Sequence, residues 1–269
     1  MTSSQCKHQG NVITLASADL LTCWGVTACI SGPMYFVTGA SGALGKELVR
    51  KIRNEREPAQ VIEILRVKSE QIVNESQIYM DLKAFDSKTL ALTIDYLKPQ
   101  KKIVLVLLAA GSDQDSNALD IFQINYFSAI QICDVFDTYC ERNKIPLQCI
   151  FALSAVALTP HIQKPFYSAS KAALYNYVKY RLKIKNSYSI TCGIFLGPFR
   201  SKLWDVDRMK KFSSITLLFR RNFTSTSKAK LILKKIDNEK SGIFYHPTSL
   251  FNMLVSFSQV MTRRKLDHG

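Results

Sequence analysis

The chain has 269 residues, of which 47% are hydrophobic and 21% charged, with only 11 Gly and 8 Pro. That length and composition suit one or two domains with a sizeable buried core and exclude wholesale disorder and fibrous repeats, while seven Cys without a CxxC pair and four His without ligand spacing argue against a disulfide scaffold or a zinc module, so no metal is expected. The net charge is +15, and residues 200–269, with 15 Lys/Arg against 5 Asp/Glu, supply +10 of it; such a field favours anionic partners, or else is a solvated lysine-rich face.

The first 33 residues read as a poorly ordered extension. Val12 to Ile30 is mostly apolar and ends near Cys29, loosely like an exported leader, but Asp19 in its middle opposes insertion by roughly 3 kcal/mol. A natural start at Met34 and a cytoplasmic location fit better, because Met34 opens the first core strand. From there short apolar runs alternate with helical periods. Tyr35 to Thr38 is the first strand. It runs into Thr38-Gly39-Ala40-Ser41-Gly42-Ala43-Leu44-Gly45 and a helix over Leu44 to Asn54. Gly39 permits a tight turn, Gly42 lets backbone N–H groups approach a pyrophosphate, and Gly45 lets the helix pack closely with its positive N-terminus toward phosphate. A plain structural turn is the competing reading of this GxxGxxG spacing.

The second strand, Val61 to Val67, carries Arg66 near its end, where a base suits a ribose 2′-phosphate and an acid suits the free hydroxyl; the cofactor expected is NADP, with NAD as the alternative. A short apolar stretch, Ile78 to Met80, precedes Asp81, which either reaches an adenine ring or caps the next helix, Ser87 to Leu97. The strand Ile103 to Ala110, the helix Ala118 to Arg142 and the strand Leu147 to Leu153 follow, then Ser154, a helix over Tyr167 to Ile184 and a strand over Ile190 to Leu196. Strands apolar on both faces, separated by helices long enough for crossovers, predict a single doubly wound parallel β-sheet, Rossmann-like, with helices on both faces.

Tyr167 and Lys171 stand at i and i+4, one above the other on a helix face. An ammonium beside a phenol favours the phenolate and tunes it for proton exchange with an alcohol or carbonyl. Tyr79/Lys83 and Tyr175/Lys179 have the same spacing, but only Tyr167 has a serine, Ser154, thirteen residues upstream just past an apolar strand.

In TGASGALG at 38–45, LLAAG at 107–111, INYFSA at 124–129, Ser154 with YSASKAAL at 167–174 and LGPFRS at 196–201, the sequence resembles the short-chain dehydrogenase/reductase family from Met34 to about Ser249. The resemblance implies an NAD(P)-dependent oxidoreductase that moves hydride between nicotinamide and a carbonyl or secondary alcohol. It implies Tyr167 as proton donor and acceptor, Lys171 lowering its pKa and holding the nicotinamide ribose, Ser154 on the substrate oxygen, and Asn125 supporting a water-linked relay. The cofactor-binding residues it implies are Gly39, Ser41, Gly42, Leu44, Gly45, Arg66, Asp81, Leu82, Ala110, Gly111, Tyr167, Lys171 and Ser201. The family's Asn before Ala-Gly is here Ala109, its Pro before the last glycine turn is Leu196, and sliding the serine motif by one residue would place Ala155 where Ser154 is expected. Residues 34–269 are read as one NAD(P)-binding oxidoreductase domain whose part 200–269 forms a basic substrate loop and C-terminal region. Leu250 to Met261 is too short to span a bilayer; a buried helix or subunit contact in a homo-oligomer suits it better than a membrane surface. Nucleic-acid binding has no motif to support it. A catalytically idle NADP-binding sensor or scaffold of the same fold is the alternative function.

Overall fold

The computed structural model describes residues 13–14, 32–56, 58–66, 72–74, 76–108, 110, 117–161, 163–184, 187–197, 224–250 and 253. The strands are β1 (Ile13–Thr14), β2 (Met34–Thr38), β3 (Gln60–Leu65), β4 (Ile72–Asn74), β5 (Gln77–Tyr79), β6 (Ile103–Leu107), β7 (Leu147–Leu153), β8 (Ser189–Phe195) and β9 (Gly242–Tyr245). The helices are α1 (Ala43–Glu55), α2 (Ser87–Leu97), α3 (Ala118–Phe122), α4 (Ser128–Asn143), α5 (Pro165–Lys183) and α6 (Ser225–Asn238). One sheet runs in the order β1-β4-β5-β3-β2-β6-β7-β8-β9. From β5 to β9 all neighbours are parallel, while β4 is antiparallel to β5 and β1 antiparallel to β4. The doubly wound parallel sheet expected from the sequence is present, with an antiparallel addition at one edge.

Alternation along the strands divides the core. On β6, Ile103, Leu105 and Leu107 join Phe36, Phe136, Phe151, Leu174 and Val178 beneath α4 and α5. Val104 and Val106 face the other way, joining Leu48 and Ile52 of α1 and Ile232 and Ile236 of α6. Both faces of a central strand must therefore be apolar, which is why it reads as an unbroken hydrophobic run.

Three features depart from the expected elements. Between β3 and its parallel neighbour β5 the chain holds β4. The helical run predicted over Ala118 to Arg142 is broken by a π-helical turn, Gln123–Phe127. In the basic remainder, Ala229, Ile232, Leu233 and Ile236 recur at helical spacing and bury one face of α6, and β9 closes the sheet. The strand predicted to Val67 ends at Leu65, and the one predicted to Ala110 ends at Leu107. Leu250 to Met261 lies outside the described residues apart from Leu250 and Met253. Among the described residues no helix is long and apolar enough to cross a membrane.

Candidate active site

The winding order reverses at β2, whose neighbours are β3 on one side and β6 on the other. A ligand crevice is expected beyond the carboxyl ends of strands at such a point. The chain leaves β2 through Thr38, whose Oγ1 accepts from Leu108 N at 3.0 Å and pins the ends of β2 and β6 together. Gly39 then takes φ +66°, a left-handed conformation glycine enters without cost. Gly42 N donates to Gly39 O at 3.0 Å, and Lys46 N to Gly42 O at 2.9 Å, which starts α1. Gly42 is the N-cap without a side-chain cap, and no acidic residue lies in the first turn. The opening N–H groups of α1 thus keep their positive field beside exposed Ser41 and Gly42. Leu44 and Gly45 are buried; a Cβ on Gly45 would lie 2.2 Å from Gly39 O, so the helix is pressed onto the turn. A glycine cradle under an uncapped helix N-terminus fits a pyrophosphate.

Arg66, the residue after β3, is exposed. Asp81 is exposed as well and accepts from Lys83 N at 2.9 Å. It does not cap α2: that cap is Asp86, which accepts from Lys88 N at 3.0 Å and from Thr89 Oγ1 at 2.6 Å. Leu82 packs against the core, and Ala110 is half-buried. Gly111 and Ser201 lie outside the described residues.

Three elements meet at the ends of β7 and α5. Ser154 follows β7 and caps the 3₁₀ turn Ala155–Ala157, with Ala157 N donating to Ser154 O at 3.0 Å. Ser154 is half-buried and Ala155 buried, so the hydroxyl of the two candidate positions has the exposure a substrate contact needs. The 3₁₀ turn packs against α5, on which Tyr167 is half-buried and Lys171 is 3% exposed. Lys171 Nζ lies 5.9 Å from the Tyr167 ring centroid and donates to Ala152 O at a long 3.4 Å. Burial pushes the Lys171 amine down to about 8. Asn125 sits in the π turn, 1% exposed. Its Nδ2 donates to Ser170 Oγ at 3.0 Å, and Ser170 Oγ donates to Tyr167 O at 2.9 Å. The π turn thereby ties α3–α4 to the helical turn that carries Tyr167; single π turns often sit at functional sites because they re-aim one side chain.

Two serines between Tyr167 and Lys171 were not singled out in the sequence. Besides Ser170, Ser168 Oγ donates to Lys164 O at 2.8 Å and accepts from His161 N at 3.0 Å, fastening the loop after Ser154 to α5. Both are buried, and small polar residues beside a helical Tyr/Lys pair are the only signal they left. The competing pairs are built differently. Tyr79 lies in β5 and bonds Gln77 Oε1 at 3.2 Å, while Lys83 pairs with Asp120 at 2.5 Å. Lys179 lies 5.4 Å over the Tyr175 ring, but that ring packs edge-on against Phe195 and Lys179 is exposed. A cavity of about 380 Å³ lies between α2 and α4, lined by Lys88, Asp95, Gln131, Asp134 and Arg142 among others, and includes none of these site residues.

No protein-family model matches the chain, and no curated protein matches it. Solved structures do. A 4-hydroxyisoleucine dehydrogenase complexed with NADH superposes with a TM-score of 0.62 at 13% identity, over 81% of this chain and 99% of that one. A short-chain dehydrogenase from Streptomyces avermitilis gives 0.61 at 16%, over 88% and 96%. The RhlG/NADP active-site complex from Pseudomonas aeruginosa gives 0.60 at 18%, over 80% and 94%. The chain has the Rossmann-type fold of short-chain dehydrogenases.

Proposed function

We propose that the protein is an NAD(P)-dependent oxidoreductase acting on a small carbonyl or secondary alcohol, with Tyr167 as its acid and base. The observation that carries this reading is the packing of the 3₁₀ turn capped by Ser154 against α5, the helix that carries Tyr167 and buried Lys171, with Asn125 bonded through Ser170 to the backbone of Tyr167. A nicotinamide cofactor, when bound, supplies or accepts the hydride. Gly39, Ser41, Gly42, Leu44 and Gly45 would hold its pyrophosphate at the N-terminus of α1. Arg66 would take the 2′-phosphate, which makes NADP the cofactor in preference to NAD, and Asp81 and Leu82 would border the adenine. Ala110, Gly111 and Ser201 complete the proposed cofactor set.

Each side chain then has a physical task. The Tyr167 hydroxyl would give a proton to the substrate's carbonyl oxygen, and the Ser154 hydroxyl would hold the same oxygen. Lys171 is charged below its pKa of about 8; its ammonium would favour the phenolate of Tyr167 and would hold the nicotinamide ribose of a bound cofactor. Asn125 and Ser170 fix the backbone from which Tyr167 projects, so the reacting atoms need little reorganisation. Residues 34–269 work as one domain, whose basic part 200–269 favours an anionic substrate. Cys133, Cys140, Cys149 and Cys192 are buried free thiols, which suits a reducing cytoplasm. The same fold also suits an idle NADP-binding sensor, because fold alone does not set activity. Assaying a panel of carbonyl compounds with NADPH and NADH separately distinguishes the two: turnover of the reduced dinucleotide supports the enzyme, and tight binding without turnover of any member supports the sensor.

A further inference from the structure

Lys228, the fourth residue of α6, is 0% exposed and has no ion pair among the described residues. Burying an amine there costs free energy that a leucine would not. Its Nζ lies 2.8 Å from His246 Nδ1 and donates to Thr248 Oγ1. His246 Nδ1 also accepts from Thr248 N at 3.2 Å, which leaves the Thr248 hydroxyl to donate to Leu196 O at 3.3 Å. A chain of hydrogen bonds therefore runs from the amine through a hydroxyl to the carbonyl of Leu196, the residue after β8. Gly197 follows with φ +66°, and a Cβ there would lie 2.6 Å from Ser249 N and 2.7 Å from Thr248 Oγ1. Ser249 Oγ is buried beside this turn without a hydrogen-bond partner among the described residues.

The place of the turn gives the cluster its meaning. Leu196 N donates to Leu153 O at 3.3 Å, so the turn stands directly beside Ser154. A nicotinamide ring that exchanges hydride with a carbonyl held by Ser154 and Tyr167 must lie against this end of β7 and β8. We propose that Lys228, acting through Thr248, positions the Leu196–Gly197 turn against the nicotinamide and makes the site select the reduced ring over the oxidised one. The inference rests on the proposed oxidoreductase function. An oxidised nicotinamide ring carries a positive charge that the reduced ring lacks, and a cation buried behind the turn opposes the former in a low-dielectric interior. Burial lowers the Lys228 amine to about 7 and, with the Lys228 charge, lowers His246 to about 4, so the selection strengthens as pH falls through 7 while His246 stays neutral. Of the other charges nearby, on α1, packed against α6, Glu47 pairs with Arg50, Lys51 with Glu55 and Arg56 with Asp237; Lys235 of α6 lies over the Phe244 ring; and Lys171, on α5 across the sheet, is itself lowered to about 8 and titrates as well.

The test titrates the full chain with NADPH and with NADP⁺, well below and well above the Lys228 pKa of about 7. The ratio of oxidised to reduced dissociation constants is expected to rise severalfold at the lower pH in the unmodified protein and to change much less in Lys228→Met, where only Lys171, lowered to about 8, still titrates beside the cofactor. Thr248→Val keeps the shape but removes the hydroxyl and should weaken both forms about tenfold, the equivalent of one net buried hydrogen bond, whereas Thr248→Ser should stay within about twofold. Thermal melts show which variants fold; if Lys228→Met does not, the Thr248 pair decides. A pH-independent ratio in the unmodified protein, an unchanged profile in folded Lys228→Met, or wild-type affinity in Thr248→Val overturns the inference. If the unmodified chain binds neither dinucleotide, the oxidoreductase reading itself falls.

Discussion

Replacing Gly45 by alanine should damage the molecule although alanine is the better helix former. In a helix interior the change gains about 1 kcal/mol from backbone entropy. Here the new Cβ would lie 2.2 Å from Gly39 O, 2.6 Å from Ala40 Cα and 2.9 Å from Gly39 C, where ordinary contacts sit near 3.5–4.0 Å. All three neighbours are backbone, so no side chain can swing aside and α1 must move off the turn. That helix buries Leu44, Leu48, Val49 and Ile52, and forcing such a face outward costs about 3 kcal/mol, at the upper end of overpacking. The net loss is about 2 kcal/mol, or a melting temperature lower by about 4–8 °C for a chain of this size. Gly42→Ala provides the contrast. Its φ is −76° and its Cβ would meet only Gly39 O, at 3.2 Å, so stability should change by less than about 1 kcal/mol while NADPH affinity falls, because the added methyl lies on the exposed N-terminus of α1. Calorimetric melts and NADPH titrations of both variants separate the effects. A Gly45→Ala protein that melts at or above the wild type and binds NADPH normally would refute the close-packed cradle.

Three further outcomes are expected. Arg66→Asp should narrow or reverse the preference for NADPH over NADH measured by calorimetry, and equal affinities in the unmodified protein would remove its basis. Lys171 is lowered from 10.5 to about 8 by burial; the unfolded chain therefore binds more protons between these values, and stability should rise with pH from about 8 to 10.5 and be flat with respect to this group below 8. In Lys171→Met that part of the rise should vanish from pH-dependent denaturant melts, the protein should be more stable at pH 7 by roughly 3 kcal/mol, and turnover should collapse. Removing residues 1–33 takes away the Ile13–Thr14 pairing with β4 but should leave a chain that folds and binds dinucleotide, as circular dichroism and NADPH titration would show.

The central sheet was legible because its strands are apolar on both faces: Ile103 to Leu107 is uninterrupted, and β2, β6, β7 and β8 were each read within a few residues of their ends. β4 and β5 were not legible, since three-residue strands have too few side chains for a period, and β3 pairs with β5 only through contacts absent from local sequence. α6 escaped because three lysines interrupt Ala229, Ile232, Leu233 and Ile236, and the segment read as basic surface. At the site, Ser154, Tyr167 and Lys171 could be picked out by spacing. Asn125 could be named but not its environment: a π turn arises from packing, and no propensity announces it. Lys228 was invisible for the opposite reason, because a lysine on a helix reads as solvent-exposed until the contacts from His246 and Thr248 enclose it.

The most direct test is turnover by Tyr167→Phe, which keeps the ring and removes the transferable proton. With a carbonyl substrate accepted by the unmodified protein, the account predicts normal folding and NADPH affinity but a rate lower by about 10²- to 10⁴-fold, while Tyr175→Phe and Tyr79→Phe stay near the wild-type rate. A folded Tyr167→Phe protein that oxidises NADPH at the wild-type rate would contradict the assignment of this site and the chemistry built on it.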